Sequence, residues 1–343
     1  MIMETKKAAL VLGATGKAGG AIASALLDHG WQVRGLVRDL SKVNGGAANG
    51  VDWVCGDAMV RDDVVRAARG VSIIVHAVNP PGYRNWDTVV LPMIDNTIAA
   101  ARAAGGARVV LPATIYNFDP ETTPVITART PQAPKSRKGR IRVALEKRLE
   151  DAAPEVPSLI LRAGDFFGPG ARDTWFAEAM VKAERPVKRI VNPARGGGHS
   201  WAYLPDFAEA FARLLDRPDQ LLPFERLQFE GLFDESGTVM TTALSRVVEK
   251  DLPVWPLPWW LVRALAPFGG FPREAAEIAP HWRHPARLDN GRLVQLLGEE
   301  PRTDLDAALR QTLISMKCLA AGVAPQPERR SAAVNSPAGS PAP

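Results

Sequence analysis

Two hydrophobic rhythms run through the first half of the chain. Short apolar runs at residues 8–12, 32–37, 52–55, 71–77, 108–111 and 159–162 read as strands; in the fourth, Ile73, Ile74 and Val75 stand in a row. Between them, residues 21–29, 61–69, 86–104 and 140–152 repeat their apolar positions at helical spacing, with Leu145 and Leu149 on one face. A loop carrying Gly45, Gly46 and Gly50 follows the second run. The alternation predicts an α/β fold, a doubly wound parallel sheet with helices on both faces.

After residue 164 the rhythm loosens, and prolines and tryptophans become frequent. The expected organisation is a cofactor-binding Rossmann domain over 1–165, a smaller substrate-binding region over 166–321 that returns to the sheet, and a tail over 322–343. The tail is rich in Ala, Pro and Ser, cannot bury a core, and is expected to be disordered. The most apolar late stretch, from Leu252 to Phe271, is broken by prolines and Arg263, so it does not read as a membrane span. It reads as a core or pocket-lining segment, with interfacial contact through Trp259 and Trp260 as the alternative. Trp86, Trp175, Trp201 and Trp282 are likewise expected in the core or along an apolar pocket wall.

The first strand runs into Gly13-Ala14-Thr15-Gly16-Lys17-Ala18-Gly19 and then into the first helix. Each glycine has a physical reason. Gly13 lets the strand end turn tightly, Gly16 lets backbone approach a pyrophosphate, and Gly19 lets the helix pack closely on the strand. The free N–H groups and positive end of that helix then face the phosphates. The second strand ends Val37-Arg38-Asp39. Arg38 stands where a guanidinium would pair with a 2′-phosphate, which favours NADP. Asp39 keeps NAD open, because a carboxylate there would take the ribose 2′-hydroxyl.

Composition narrows the picture only a little. The chain has 343 residues, 46% hydrophobic and 23% charged, which is ordinary for a soluble globular protein. A net charge of +5 is not by itself a nucleic-acid footprint, and the basic run from Lys135 to Arg148 has no interleaved aromatics. Two cysteines are too few for a disulfide framework and fit a reducing compartment. With no charged-then-apolar leader, the expected location is the cytoplasm. No metal site is expected: His281 and His284 form an i, i+3 pair without further ligands at metal spacing. No Gly-x-Ser-x-Gly elbow points to a hydrolase.

Taken in order, the motifs resemble an extended or atypical short-chain dehydrogenase/reductase of the NAD-dependent epimerase/dehydratase group, with isoflavone-reductase-like and nitrogen-regulator-like relatives. Beyond the glycine segment, the resemblance rests on Gly56-Asp57, on His76-Ala77-Val78-Asn79 and on Leu161-Arg162-Ala163-Gly164-Asp165-Phe166-Phe167-Gly168-Pro169. It extends to His199-Ser200-Trp201-Ala202-Tyr203-Leu204-Pro205-Asp206 and to Leu288-Asp289-Asn290-Gly291. It implies that Gly13, Thr15, Gly16, Lys17 and Gly19 hold the pyrophosphate. Asp57 and Ala58 would lie at the adenine, and Ala77, Val78 and Asn79 beside the nicotinamide ribose.

The chemistry departs from the family pattern. Relatives carry Tyr-x-x-x-Lys on one helix face, where the ammonium lowers the phenol's pKa and the phenolate serves hydride transfer. Here the three tyrosines, Tyr83, Tyr116 and Tyr203, are followed four residues later by Asp87, Pro120 and Phe207. Glu146 matches the family's glutamate. Counting back from it places Arg142 at the lysine position and Lys138 at the tyrosine position. Two cations one turn apart repel, so each needs an anionic partner, which a cofactor phosphate or an acidic substrate would supply. Lys135, Arg137, Lys138, Arg140 and Arg142 also read as a solvated basic run. Thr114 matches the family's Ser/Thr position, and Tyr116 is the nearest substitute phenol.

The expectation is an NAD(P)-dependent oxidoreductase or epimerase/dehydratase-like protein using NADP, with NAD open. Thr114 would orient the substrate, Tyr116 or Lys138 would carry the proton, and Arg142 would meet the cofactor. The substrate would be a small acidic or carbonyl-bearing molecule, and a homodimer is compatible with the sequence. The alternative is a redox-sensing regulator that binds NAD(P) without turnover.

Overall fold

The computed structural model describes residues 7–43, 50–79, 86–171, 174–194 and 197–320. Gly45, Gly46, Tyr83 and the tail over 322–343 lie outside the described residues.

The first half builds β1 (Ala8–Leu12), α1 (Lys17–Asp28), β2 (Gln32–Val37), β3 (Val51–Cys55), α2 (Arg61–Ala67), β4 (Ile73–His76), α3 (Trp86–Ala103) and β5 (Arg108–Ala113). A short strand β6 (Val125–Ile126), helix α4 (Arg137–Ala152) and β7 (Ser158–Arg162) follow. The second half continues with β8 (Asp165–Phe167), β9 (Ile190–Asn192), β10 (His199–Tyr203), α5 (Leu204–Leu215), β11 (Phe224–Gln228), β12 (Leu232–Asp234) and α6 (Val239–Val248). It closes with β13 (Val254–Pro256), α7 (Trp259–Leu265), α8 (Gly270–Ile278), β14 (Arg287–Leu288), α9 (Gly291–Leu297) and α10 (Leu305–Ser315).

Seven strands form one sheet in the order β11-β7-β5-β4-β1-β2-β3, and every pairing in it is parallel. All five residues of β1 are buried, as a strand covered on both faces requires. Ala9 and Val11 join a core with Ile22, Ala23 and Leu26 of α1 and the apolar face of α5. Ala8, Leu10 and Leu12 point the other way, into a core with α2, α3 and α4. This is the doubly wound Rossmann arrangement. Its strand order reverses between β1 and β4, which opens a crevice at the carboxyl ends of those strands.

The second region has its own aromatic core, containing Trp175, Phe176, Trp201, Trp259 and Trp282. Two of its strands cross into the first region: β11 pairs with β7 as the outermost strand of the large sheet, and β14 pairs with β6.

Several boundaries differ from expectation. Helix α1 starts at Lys17 rather than 21, because Gly16 serves as its N-cap. Helix α4 starts at Arg137 rather than 140, because Ser136 caps it by accepting the Gly139 N–H at 3.0 Å. The largest correction concerns the stretch from Leu252. Leu252 and Trp259 are buried, but Val254, Trp255, Trp260, Leu261, Leu265 and Phe268 are exposed, so most of it is neither core nor the wall of a closed pocket.

Candidate active site

The site is built from the carboxyl ends of the parallel strands. After β1, Gly13 turns with φ +84°, and a Cβ there would sit 2.6 Å from the Ala77 carbonyl oxygen. A Cβ on Gly19 would come within 2.2 Å of the Gly13 carbonyl oxygen, so α1 can lie this close to the turn only with glycine. The Gly16 N–H donates to the Gly13 carbonyl at 2.9 Å. Helix α1 has no side-chain cap and no acidic residue in its first turn. Thr15 and Gly16 are exposed beside it, and Lys17 is half-buried. An uncapped helix end of positive polarity, approached by exposed glycine backbone, fits a pyrophosphate.

The ends of β2 and β3 differ in how their charges are engaged. Arg38 is exposed, and no ion pair among the described residues holds its guanidinium. Asp39 is turned to local work: its carboxylate accepts the Ser41 hydroxyl at 2.7 Å and the Ser41 N–H at 3.0 Å. Those bonds hold its pKa below the usual carboxylate range. After β3, Asp57 accepts the Met59 N–H at 2.9 Å and donates its own N–H to Asp63 at 2.9 Å. The Asn96 amide holds the Ala58 carbonyl at 3.0 Å.

After β4, half-buried Ala77 and Val78 lead to exposed Asn79. His76 is fully enclosed, with Nδ1 2.8 Å from the Thr97 hydroxyl; burial, assisted by the Arg142 charge, lowers its pKa to about 3. Arg142 extends from α4 to this strand end. Its guanidinium donates to Asn79 at 3.4 Å and lies 4.8 Å from the centre of the Trp86 ring. One turn earlier on α4, Lys138 is 1% exposed, so it does not belong to a solvated run. Its ammonium forms an ion pair with the Glu274 carboxylate, lies 3.6 Å from Glu277, and donates to the Glu274 carbonyl at 3.3 Å. The Lys138 N–H also donates to Glu277 at 2.8 Å. The anion that the cation pair requires is thus supplied to Lys138 by α8 itself.

After β5, half-buried Thr114 precedes a short turn containing Tyr116, which is 8% exposed. Helix α4 is pressed against this turn: a Cβ on Gly139 would lie 2.2 Å from the Tyr116 carbonyl oxygen. Beneath it sits a buried polar network. Glu146 takes both oxygens to the Arg162 guanidinium at 2.8 and 3.0 Å, and accepts from Asn117 at 2.9 Å and Gln132 at 2.6 Å. Arg162 also donates to the Thr114 carbonyl. This network ties β7, α4 and the Thr114 turn into one unit. Arg142 thus reaches the end of β4 at Asn79, and the network holds the Thr114 turn against α4, while Lys138, one turn earlier on the same helix, is enclosed by α8. Tyr203 stands apart: its hydroxyl donates to Gln311 at 2.6 Å, and burial, with Asp206 nearby, raises its pKa to about 12.

Sequence reasoning missed the partners from the C-terminal region. Glu274 and Glu277 share a face of α8 at i, i+3, but nothing local to them names Lys138. His281, treated as a pocket or surface histidine, contacts the Tyr116 ring at 5.4 Å and lines a cavity of about 390 Å³ with Phe118, Asp119, Ser136 and Glu277. Burial lowers its pKa to about 4. His199 stacks on Trp282 at 3.5 Å and binds Asp165 at 2.7 Å. No cluster of three metal-ligating side chains occurs among the described residues, and no helix there is long and apolar enough to cross a membrane.

The chain is similar to known proteins in part of its sequence and in its fold. Residues 13–144 match the model of an NAD(P)H-binding family. A 3-diazoavenalumate denitrifying reductase from a Streptomyces species is 28% identical over 196 residues, covering 52% of this chain and 63% of that protein. The fold is shared with the NAD-bound UDP-glucuronic acid 4-epimerase of Bacillus cereus at a TM-score of 0.68 and 16% identity, covering 92% and 99% of the two chains. It is shared also with MoeE5 bound to UDP-glucuronic acid and NAD, at 0.69 and 17%, covering 90% and 98%. The chain thus carries a Rossmann domain that matches an NAD(P)H-binding family model, and it shares its fold with these NAD-bound enzymes.

Proposed function

We propose that the chain is an NADP-dependent reductase of a small carbonyl-bearing or otherwise electron-poor molecule in the cytoplasm. The cofactor is held by residues 1–165 and the substrate is covered by 166–321. The observation that carries this reading is the meeting of two features at one crevice: the glycine turn with its uncapped helix end, and the α4 face on which Arg142 reaches Asn79.

Gly13, Thr15, Gly16, Lys17 and Gly19 take the pyrophosphate, and Arg38 takes the 2′-phosphate. Asp57 and Ala58 border the adenine. Ala77, Val78, Asn79 and Arg142 flank the nicotinamide ribose. When bound, the dinucleotide supplies hydride chemistry. Thr114 orients the group to be reduced. Lys138 carries the balancing proton, which Glu274 and Glu277, both partly open to solvent, replenish. The Streptomyces relative is a reductase, which favours reduction over epimerisation. The occupied state of Asp39 favours NADP over NAD.

A second reading has its own support. Lys138 is held by two carboxylates, and no Tyr-x-x-x-Lys exists, which suits a redox-sensing regulator that binds the cofactor without turnover. Titration of the purified protein with NADPH and NADH, followed by a carbonyl panel, separates the two. A hydrogen bond to a charged group contributes roughly 1.5–3 kcal/mol, so Arg38→Ala should weaken NADPH roughly 10- to 100-fold and leave NADH nearly unchanged. Equal losses would end the NADP assignment. NADPH oxidation that disappears in Thr114→Ala excludes the regulator, and tight binding without turnover across the panel excludes the reductase.

A further inference from the structure

The segment from Pro253 to Gly269 leaves the body of the protein with its apolar side chains outward. Trp255 is 53% exposed, Trp260 70% and Phe268 86%, with Val254, Leu261 and Leu265 beside them. Along α7 and the turn after it, Trp260, Leu261, Ala264, Leu265 and Phe268 recur at i, i+1, i+4, i+5 and i+8, which places them on one stripe. The opposite side of the helix is anchored: Trp259 is buried, and its indole N–H donates to the Pro193 carbonyl at 2.8 Å. The stripe therefore does not face outward for lack of attachment.

Between Leu252 and Arg273 every charge is positive: Arg263 and Arg273 are both exposed, and the acidic residues nearest in sequence, exposed Asp251 and half-buried Glu274, stand just outside the two ends, Glu274 being paired with Lys138. Strand β13 pairs with β9, which brings in exposed Arg189, its guanidinium 4.7 Å from the centre of the Trp255 ring, and next to it exposed Lys188. Indole rings and leucines framed by arginine and lysine match the boundary of an anionic bilayer, where the rings sit at headgroup level and the cations meet lipid phosphates.

We propose that this face docks on the surface of a membrane containing anionic phospholipid. The stripe enters the headgroup region while Lys188, Arg189, Arg263 and Arg273 pair with phosphates. The protein lies on the bilayer and does not span it.

The test is co-sedimentation of the full chain with vesicles of phosphatidylcholine alone and of phosphatidylcholine with phosphatidylglycerol. Binding should be at least about tenfold stronger to the anionic vesicles and should weaken as salt rises, given an attraction of about 1 kcal/mol per surface cation. Trp260→Asp with Phe268→Asp should abolish it, and Arg263→Glu with Arg273→Glu should reduce it at least about tenfold by the same arithmetic. These positions are exposed, and circular dichroism with a thermal midpoint checks that each variant is folded. Failure of the wild type to sediment with anionic vesicles overturns the proposal, and so does binding indifferent to both double variants. A wild-type dimer that Trp260→Asp dissociates, without vesicle binding, would assign the stripe to a second copy instead.

Discussion

Replacing Glu146 by Gln perturbs one atom of a network that holds the Thr114 turn. Glu146 is 4% exposed and its partner Arg162 1%, so neither can turn to water when the other changes. The two carboxylate oxygens accept four hydrogen bonds: two from one Arg162 nitrogen, and one each from Asn117 and Gln132. The amide keeps the shape, loses the charge, and turns an NH2 toward groups that themselves donate. Breaking a buried pair from one side costs about 3–5 kcal/mol, because the remaining charge stays desolvated. Against a total stability of about 5–15 kcal/mol, that is a large fraction. Urea unfolding should show the midpoint falling at constant slope. Glu146→Leu with Arg162→Met should recover part of the loss, since both charge-desolvation terms vanish together. Recovery should stop short by more than the about 1 kcal/mol of the hydrogen bond that Arg162 gives the Thr114 carbonyl, because the Asn117 and Gln132 amides also lose their acceptor. A Glu146→Gln protein within about 1 kcal/mol of wild type would refute the reasoning, as would a double variant no better than the single one.

Two further outcomes follow from the same physics. His76 and His281 stay neutral in the fold, with pKa values lowered to about 3 and about 4 by burial, while the unfolded chain protonates them near 6.5. Between about pH 6.5 and 4 the unfolded state binds more protons, so stability should fall with falling pH by about 1.4 kcal/mol per pH unit for each histidine. Urea midpoints across that range should flatten in His281→Phe, and an unchanged slope in that variant would contradict the assignment. For Lys138, Met should lower both stability and turnover. Arg keeps a cation for Glu274 and Glu277 but cannot release its proton at working pH, so it should restore the melting temperature while turnover stays about 100-fold or more below wild type. Turnover restored by Arg would make Lys138 a positioning residue only.

The parts of the fold legible in the sequence are those whose signal is local. The six expected strands and the glycine turn rest on period-two or fully apolar runs and on the steric demand of Gly13 and Gly19, where an added Cβ would fall 2.6 and 2.2 Å from a carbonyl oxygen. Helix α4 begins three residues before its apolar period, because its first turn, Arg137 to Arg140, has none, and only the Ser136 cap marks it. The seventh strand of the sheet, β11, was foreseen only as a return to the sheet. Its sequence, Phe224-Glu225-Arg226-Leu227-Gln228, alternates weakly, and its partner β7 lies across α5 and three small strands.

Two segments depart from expectation in opposite directions for one reason. The basic run is solvated at Lys135, Arg137 and Arg140, yet Lys138 is buried, because carboxylates 136 and 139 residues further on close over it. An apolar stretch reads as core, yet Trp260 and Phe268 are exposed, because nothing among the described residues comes back to cover them. Charge and hydropathy state what a side chain prefers; burial depends on what the rest of the fold brings to it. Here the same C-terminal helices decide both cases. Helix α8 carries Glu274 and Glu277 to Lys138, and α7, the helix before it, carries the exposed stripe. The helix pair therefore joins the proposed proton carrier to the proposed membrane-facing surface through one continuous piece of chain. Weakening the Lys138 contacts should loosen that piece while leaving the sheet and the glycine turn intact.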